Sequence, residues 1–231
     1  MSKFNCSILF LGKKSDGHAE KALRFCQQNF TNVTTYLGKW GDPLPEDISS
    51  WDGEYIISYL SRWIVPEYLL RKAKRAAINF HPAPPNYPGI GCINFALYEE
   101  AKEYGVTCHH MEPRVDIGKI IAVERFPVFP TDTVASLLSR TYDCQLVLFY
   151  KIMNVILKGG ELPISKELWT RRPFTRKEFN ELGQITPDMG KEEIAKRVRA
   201  INFDIWKPII KLQGFVFELK TDKDDPKTTS E

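Results

Sequence analysis

Ala76-Ala77-Ile78-Asn79-Phe80-His81-Pro82-Ala83-Pro84-Pro85-Asn86-Tyr87-Pro88-Gly89 starts as an apolar, β-prone run and breaks at a proline. Proline has no N–H to give a central ladder, so a buried strand ends at Pro82. Side chains alternate along a strand, which puts Asn79 and His81 on one face and Phe80 on the other. An amide donor and an imidazole two residues apart at a strand exit can both reach one reacting atom. Open α/β sheets bind ligands beyond the carboxyl ends of their strands. The alternative is an Asn and a His that merely satisfy loop carbonyls.

Outward from this strand the pattern is strand, turn, helix. Ile8 to Leu11 is apolar and ends at Gly12, and Ala19 to Gln27 carries Ala22, Leu23 and Cys26 at helical spacing. Val33 to Leu37 and Tyr55 to Leu60 are further strands, and Pro66 opens a helix expected to reach Lys74. This alternation predicts an α/β fold with a mostly parallel sheet. Beyond the loop come a helix from Cys92 to Lys102, strands at Val106 to Met111 and Lys119 to Val128, and a long core helix from Thr131 to Leu157. From Glu161 the composition shifts. A helix capped by Asp188 and a hairpin of Ile209 to Leu212 with Gly214 to Leu219 follow, and a frayed tail is expected from Lys220. The expected division is 1–165 and 166–231.

Bulk properties narrow the function. The net charge of +3 is small and spread out, unlike the clustered basic surface of a nucleic-acid binder. No run is long enough for a membrane helix, and none reads as a secretory leader. The five cysteines form no C-x-x-C pair, so they read as reduced thiols of a cytoplasmic protein. No Cys/His grouping has metal-ligand spacing, and neighbouring His109 and His110 point opposite ways in a strand. The turn after the first strand lacks G-x-G-x-x-G. Free amides at the following helix start, helped by Lys13 or Lys14, could hold a phosphate; a solvated turn is the other reading.

Asn-x-His-Pro at 79–82 is followed by Gly105-Val106-Thr107-Cys108-His109-His110-Met111 and then by Val115-Asp116-Ile117-Gly118-Lys119-Ile120-Ile121. In order and spacing these resemble the formyltransferases that use formyl-tetrahydrofolate, over roughly Cys6 to Gly160. That resemblance implies a Rossmann-like formyltransferase fold with a small C-terminal helix and β-hairpin. It also implies an Asn79, His81 and Asp116 catalytic set. On residues alone Asp116 could simply cap its own turn. The resemblance implies a pterin cradle at Arg62, Trp63 and Ile64, with Val115 also against the folate. Trp63 and Ile64 read alone as core.

The loop Ala83-Pro84-Pro85-Asn86-Tyr87-Pro88-Gly89-Ile90-Gly91-Cys92 looks most like the sugar-nucleotide N-formyltransferases. It departs from the Leu-Leu-Pro-x-x-Arg-Gly pattern of the tRNA and purine branches. The residues after Trp169 are too few for the basic barrel of the tRNA enzymes. This likeness implies an acceptor that is a nucleotide-linked amino sugar, with dTDP-4-amino-4,6-dideoxyglucose the expected one, destined for surface polysaccharide such as O-antigen. Contacts are expected from Lys13, Tyr87, Gly89, Phe203 and Trp206. Phe203 and Trp206 could equally be hairpin core. A homodimer is expected, since the terminal hairpin is hard to cover within one small domain. Rival readings are glycinamide ribonucleotide formyltransferase, formyl-tetrahydrofolate hydrolase, and a binding protein with a dead site.

Overall fold

The computed structural model describes residues 3–220. Its main sheet has the order β2-β1-β3-β4-β5-β6. The strands are β1 (Phe4–Lys13), β2 (Phe30–Gly38), β3 (Gly53–Tyr59), β4 (Ala73–His81), β5 (Glu103–His110) and β6 (Ile120–Pro127). β1 to β4 run parallel, while β5 and β6 form antiparallel pairs, so the sheet is mixed but mostly parallel. This is the α/β architecture expected from the strand–helix alternation.

Alternation along the strands splits the core into two layers. Ile8, Phe10, Ile57, Ile78 and Phe80 point one way, into a core completed by helices α1 (Gly17–Asn29) and α4 (Val134–Leu157). Leu9, Leu11 and Ile56 point the other way, onto Ile48, Trp51 and Leu69. The rings of Phe80 and Phe149 lie 5.2 Å apart, and Tyr59 lies 5.3 Å from Phe149. Burying each such ring contributes about 2–3 kcal/mol. Phe80 is thus committed to the α4 side, leaving Asn79 and His81 on the opposite face.

Two helices are shorter than their sequence suggests. α2 (Glu67–Leu70) stops well before Lys74, because Ala73 and Ala76 pair with Gly53 and Tyr55 of β3 and enter the sheet. α3 (Cys92–Tyr98) stops before Lys102. Glu100 turns to φ 54°, and the Ala101 N–H bonds the Ala96 carbonyl, a left-handed helix stop. α4 begins where its cap predicts, in a reciprocal Thr133–Ser136 box.

The C-terminal segment is richer than one helix and a hairpin. It holds α5 (Arg176–Leu182), β7 (Gln184–Ile185), α6 (Lys191–Ile201), β8 (Ile209–Leu212) and β9 (Phe215–Glu218). The last three strands form a second sheet in the order β7-β8-β9. α6 starts after Gly190 rather than at Asp188, whose carboxylate bonds Thr186 instead. Phe179, Leu182, Ala200 and Ile201 share a second core with Tyr87, Ile93 and Phe95. The tail expected to fray from Lys220 onward lies, after that residue, outside the described residues.

Candidate active site

β4 and β5 set the site's geometry. Their antiparallel register places Asn79 opposite His109 and His81 opposite Thr107. A bulge between Cys108 and His109 accompanies the turn from β5 towards β6. In that turn Asp116 sits at φ 50°, a conformation uncommon for a residue with a side chain. Gly118 is required beside it, because a Cβ there would lie 1.8 Å from the His110 carbonyl oxygen.

Asp116 is buried and lies between two imidazoles. Its Oδ2 is 3.4 Å from His81 Nδ1 and its Oδ1 is 3.4 Å from His109 Nε2. The Gly89 N–H donates to Oδ2 at 2.9 Å. Burial pushes the carboxyl up. The His81 charge, the His109 contact and the Gly89 amide outweigh that and hold it down at about 2. Asp116 is therefore an anion at neutral pH.

His81 is also buried, and burial pulls its imidazole below the ordinary value against the opposing pull of Asp116. Its Nε2 lies 3.2 Å from the Tyr87 carbonyl and 3.8 Å from Cys92 Sγ. Both ring nitrogens thus face protein oxygens, an arrangement that suits a ring able to carry a second proton. The Cys92 thiol donates to the Gly89 carbonyl at 3.1 Å, and burial raises it, so it is a poor nucleophile.

His109 completes the cluster. Its Nδ1 lies 2.7 Å from the His110 carbonyl, and its Nε2 lies 3.1 Å from Asn79 Nδ2 and 3.4 Å from Asp116 Oδ1; as the Nδ1–H tautomer it accepts from Asn79, and when doubly protonated it donates to Asp116. That occupies one Asn79 N–H and leaves the other. Asn79 is half-buried, so this amide is the accessible donor of the group. The set can offer a hydrogen bond to a developing oxyanion, accept a proton, and hold the resulting charge.

The structure brings Asn79, His81 and Asp116 together with Gly89 and the Tyr87 backbone. The Tyr87 side chain points elsewhere: it is buried, and its hydroxyl donates to Glu99 at 2.9 Å. A Cβ on Gly89, at φ 92°, would lie 2.4 Å from the Phe174 carbonyl oxygen. Ile64 and Val115 present exposed apolar side chains, and Arg62 is exposed. Trp63 packs under Gly38 and donates from its indole to the Asp42 carbonyl at 2.9 Å.

The turn at Lys13 corrects one expectation. Asp16 accepts from the His18 and Ala19 amides at 3.1 Å each and from Lys13 Nζ at 2.9 Å, so the head of α1 is already capped and not free for a phosphate. Phe203 packs on the second core and pairs with Trp206 through its backbone. The Trp206 ring stays 41 % exposed, edge-on to Phe179 at 5.1 Å with the Arg176 guanidinium 5.2 Å over it.

Sequence reasoning missed two residues of the cluster, His109 and Trp169. The Trp169 indole N–H donates to the Gly118 carbonyl at 2.8 Å, and its ring lies near both imidazoles. The β4–β5 register would have revealed His109; no local signal marks Trp169. Among the described residues no group of three or more His, Cys, Asp or Glu is placed to hold a metal ion.

The family model for formyl transferase matches residues 43–152, which span β3 to most of α4 and include Asn79, His81 and Asp116. Those residues, just under half of the chain, resemble the formyl transferase family. The chain is 28 % identical over 171 residues to GDP-perosamine N-formyltransferase of Brucella melitensis, covering 73 % of this chain and 65 % of that protein. It is 34 % identical over 97 residues to the trifunctional purine biosynthetic protein adenosine-3 of Chironomus tentans, covering 42 % of this chain and 7 % of that protein. Its fold matches the N-formyltransferase of Helicobacter canadensis, solved with folinic acid and dTDP-3-aminofucose. That match has a TM-score of 0.72 and 19 % identity, over 90 % of this chain and 84 % of that one.

Proposed function

We propose that this chain transfers a formyl group from formyl-tetrahydrofolate to the amine of a nucleotide-linked amino sugar. One observation carries the reading: a buried anionic Asp116 lies between two imidazoles, and a half-buried amide lies on the same strand face as His81. The acceptor nitrogen attacks the formyl carbon, and the carbonyl oxygen takes the charge. The unoccupied N–H of Asn79 donates to that oxyanion, a contribution of about 3–4 kcal/mol for one such donor. His81 takes the proton the amine must lose, and Asp116 stabilises the imidazolium. The folate nitrogen then leaves with the proton that His81 gives back, as the C–N bond to the formyl carbon breaks. Because Nε2 faces the Tyr87 carbonyl, the acceptor must take that carbonyl's place against His81. No covalent enzyme intermediate is needed.

The folate is assigned to Arg62, Trp63, Ile64 and Val115, where Ile64 and Val115 offer exposed apolar surface to a flat ring. The base of the sugar nucleotide is assigned to the exposed face of Trp206. The favoured acceptor is dTDP-4-amino-4,6-dideoxyglucose, made for surface polysaccharide such as O-antigen. The chain is proposed to work as a cytoplasmic homodimer. The match to a purine biosynthetic protein supports a second reading, with glycinamide ribonucleotide as acceptor.

The test is product formation by mass spectrometry. The chain is incubated with formyl-tetrahydrofolate and, in turn, dTDP-4-amino-4,6-dideoxyglucose, GDP-perosamine, dTDP-3-aminofucose and glycinamide ribonucleotide. A formylated sugar nucleotide is expected. Formylation of glycinamide ribonucleotide alone would select the purine reading, and no product on any amine would overturn both.

A further inference from the structure

The segment between α4 and α5 crosses back over the site as a strap. Its Ser165 N–H bonds the Ile120 carbonyl, Thr170 N–H bonds Pro85, and Phe174 N–H bonds Pro88. The Ile90 N–H returns a bond to the Phe174 carbonyl at 3.0 Å. Arg171 clamps Glu99 through both guanidinium nitrogens, at 2.8 and 3.3 Å, and its guanidinium sits 5.0 Å over the Phe174 ring. A strap held at this many points has a fixed side-chain direction, and the side chain it delivers to the site is Trp169.

The Trp169 ring centroid is 5.9 Å from that of His81, at 71°, and 5.1 Å from that of His109, at 87°. Both contacts are T-shaped, and an imidazolium edge that meets an indole face within about 6 Å is attracted by the ring quadrupole. The indole N–H bonds Gly118, two residues beyond Asp116, at 2.8 Å. One side chain therefore touches both imidazoles and the turn that carries their carboxylate.

We propose that Trp169 is a positioning residue for proton transfer: its ring favours the imidazolium that His81 becomes on accepting a proton, and its N–H fixes the Asp116–Gly118 turn. This rests on the proton-accepting role given to His81 above. Several groups face the pair from other elements. The Asp116 carboxylate comes from the turn, the Cys92 thiol from the start of α3, and the Asn79 amide from β4. His110 adjoins His109 on β5, and the charges of Glu112 and Lys119 act on it. Of these, the Asp116 carboxylate is tied to Trp169 through the Gly118 bond, and a variant that loses only the indole N–H tests that tie by itself.

Two substitutions separate the aromatic face from the N–H. Trp169→Phe keeps a face and loses the donor, whereas Trp169→Leu keeps apolar cover and loses both. The readout is histidine ring titration by NMR in the full chain, with the His81 signal assigned through His81→Asn. In Trp169→Leu the His81 midpoint should fall by roughly half a pH unit, the worth of an exposed-to-partly-buried cation–π contact. In Trp169→Phe it should stay near wild type. With an active acceptor, kcat should fall in Trp169→Leu with KM unchanged. A His81 midpoint identical in wild type and Trp169→Leu overturns the proposal. So does a shift as large in Trp169→Phe as in Trp169→Leu, since the N–H alone would then carry the effect. If Trp169→Leu does not fold, the Trp169 emission, obtained as wild type minus Trp169→Phe, must fall as His81 charges; a flat emission overturns the proposal. Titration needs no turnover, so a His81 shift in a chain inactive on every amine would leave Trp169's role standing and sink the transferase reading instead.

Discussion

Asp116→Asn tests the electrostatic heart of the site while keeping its shape. The amide oxygen can still accept the Gly89 N–H, so the turn retains its tether. What disappears is the charge 3.4 Å from His81 Nδ1. At an effective dielectric of about 20, two unit charges at this distance interact by about 5 kcal/mol. The amide dipole recovers part of that, so a loss of about 3 kcal/mol at the transition state is expected, roughly a hundredfold or more in kcat. The folate KM should hold, because Asp116 acts on the proton acceptor. The sign for His81 follows as well. Asp116 opposes the lowering by burial, so removing its charge lowers the imidazole further and moves the acid limb of kcat to lower pH. Folding carries a smaller cost. A carboxyl held at about 2 rather than its free value contributes about 2 kcal/mol at neutral pH, of which the retained Gly89 bond preserves part. Steady-state release of tetrahydrofolate against pH, with a melting curve as control, decides it. A folded variant with kcat within about fivefold of wild type would refute the role of the charge.

Stability should decline on acidification in two steps. The lowered His81 refuses a proton that the unfolded chain accepts, so stability falls as pH drops below about 6.5; Asp116 adds a second loss between about 4 and about 2. Denaturant titrations should show the first step flattened in His81→Asn, and an unchanged slope there would count against the buried neutral imidazole. Trp206→Ala should raise the sugar-nucleotide KM roughly tenfold with the folate KM steady, as expected for loss of one base–aromatic stack. Phe203→Ala should instead cost stability, about 2 kcal/mol, because that ring packs on the second core. The terminal strand β9 is open to pairing: Phe215, Val216 and Phe217 are all exposed. Sedimentation should find a dimer that Phe217→Lys converts to monomer, and a wild-type monomer at micromolar concentration would dispose of the β9 interface.

The strand carrying Asn79 and His81 was legible because three independent local rules agree there. The apolar run, the alternation and the stop at Pro82 all act within a few residues, and the sheet needs nothing more to place them. Helix lengths were less legible, since periodicity cannot see the strand that claims the next residue. Lys72 could extend a helix, but Ala73 gains a place in the ladder beside Gly53. α5 did carry a readable start, the Thr175–Glu178 capping box, within the basic, proline-containing stretch from Arg171 to Lys177.

His109 and Trp169 were out of reach for a different reason. A sequence can show that β4 and β5 are strands, yet only the antiparallel register, with Asn79 opposite His109, turns a strand histidine into the partner of the Asn79 amide. One step of slip would send His109 to the other face. Trp169 depends on a still longer chain of contacts, through a strap whose anchors are backbone groups of Ile120, Pro85 and Pro88. Those anchors have no side-chain signature, so nothing near Trp169 announces its neighbours. The chemistry at the end of β4 is thus written locally, whereas the charge balance that tunes it is assembled from β5, the Asp116 turn and the strap. The triad alone leaves His81 a buried imidazole beside an anion; its readiness to carry a proton is decided by what the other three segments place against it.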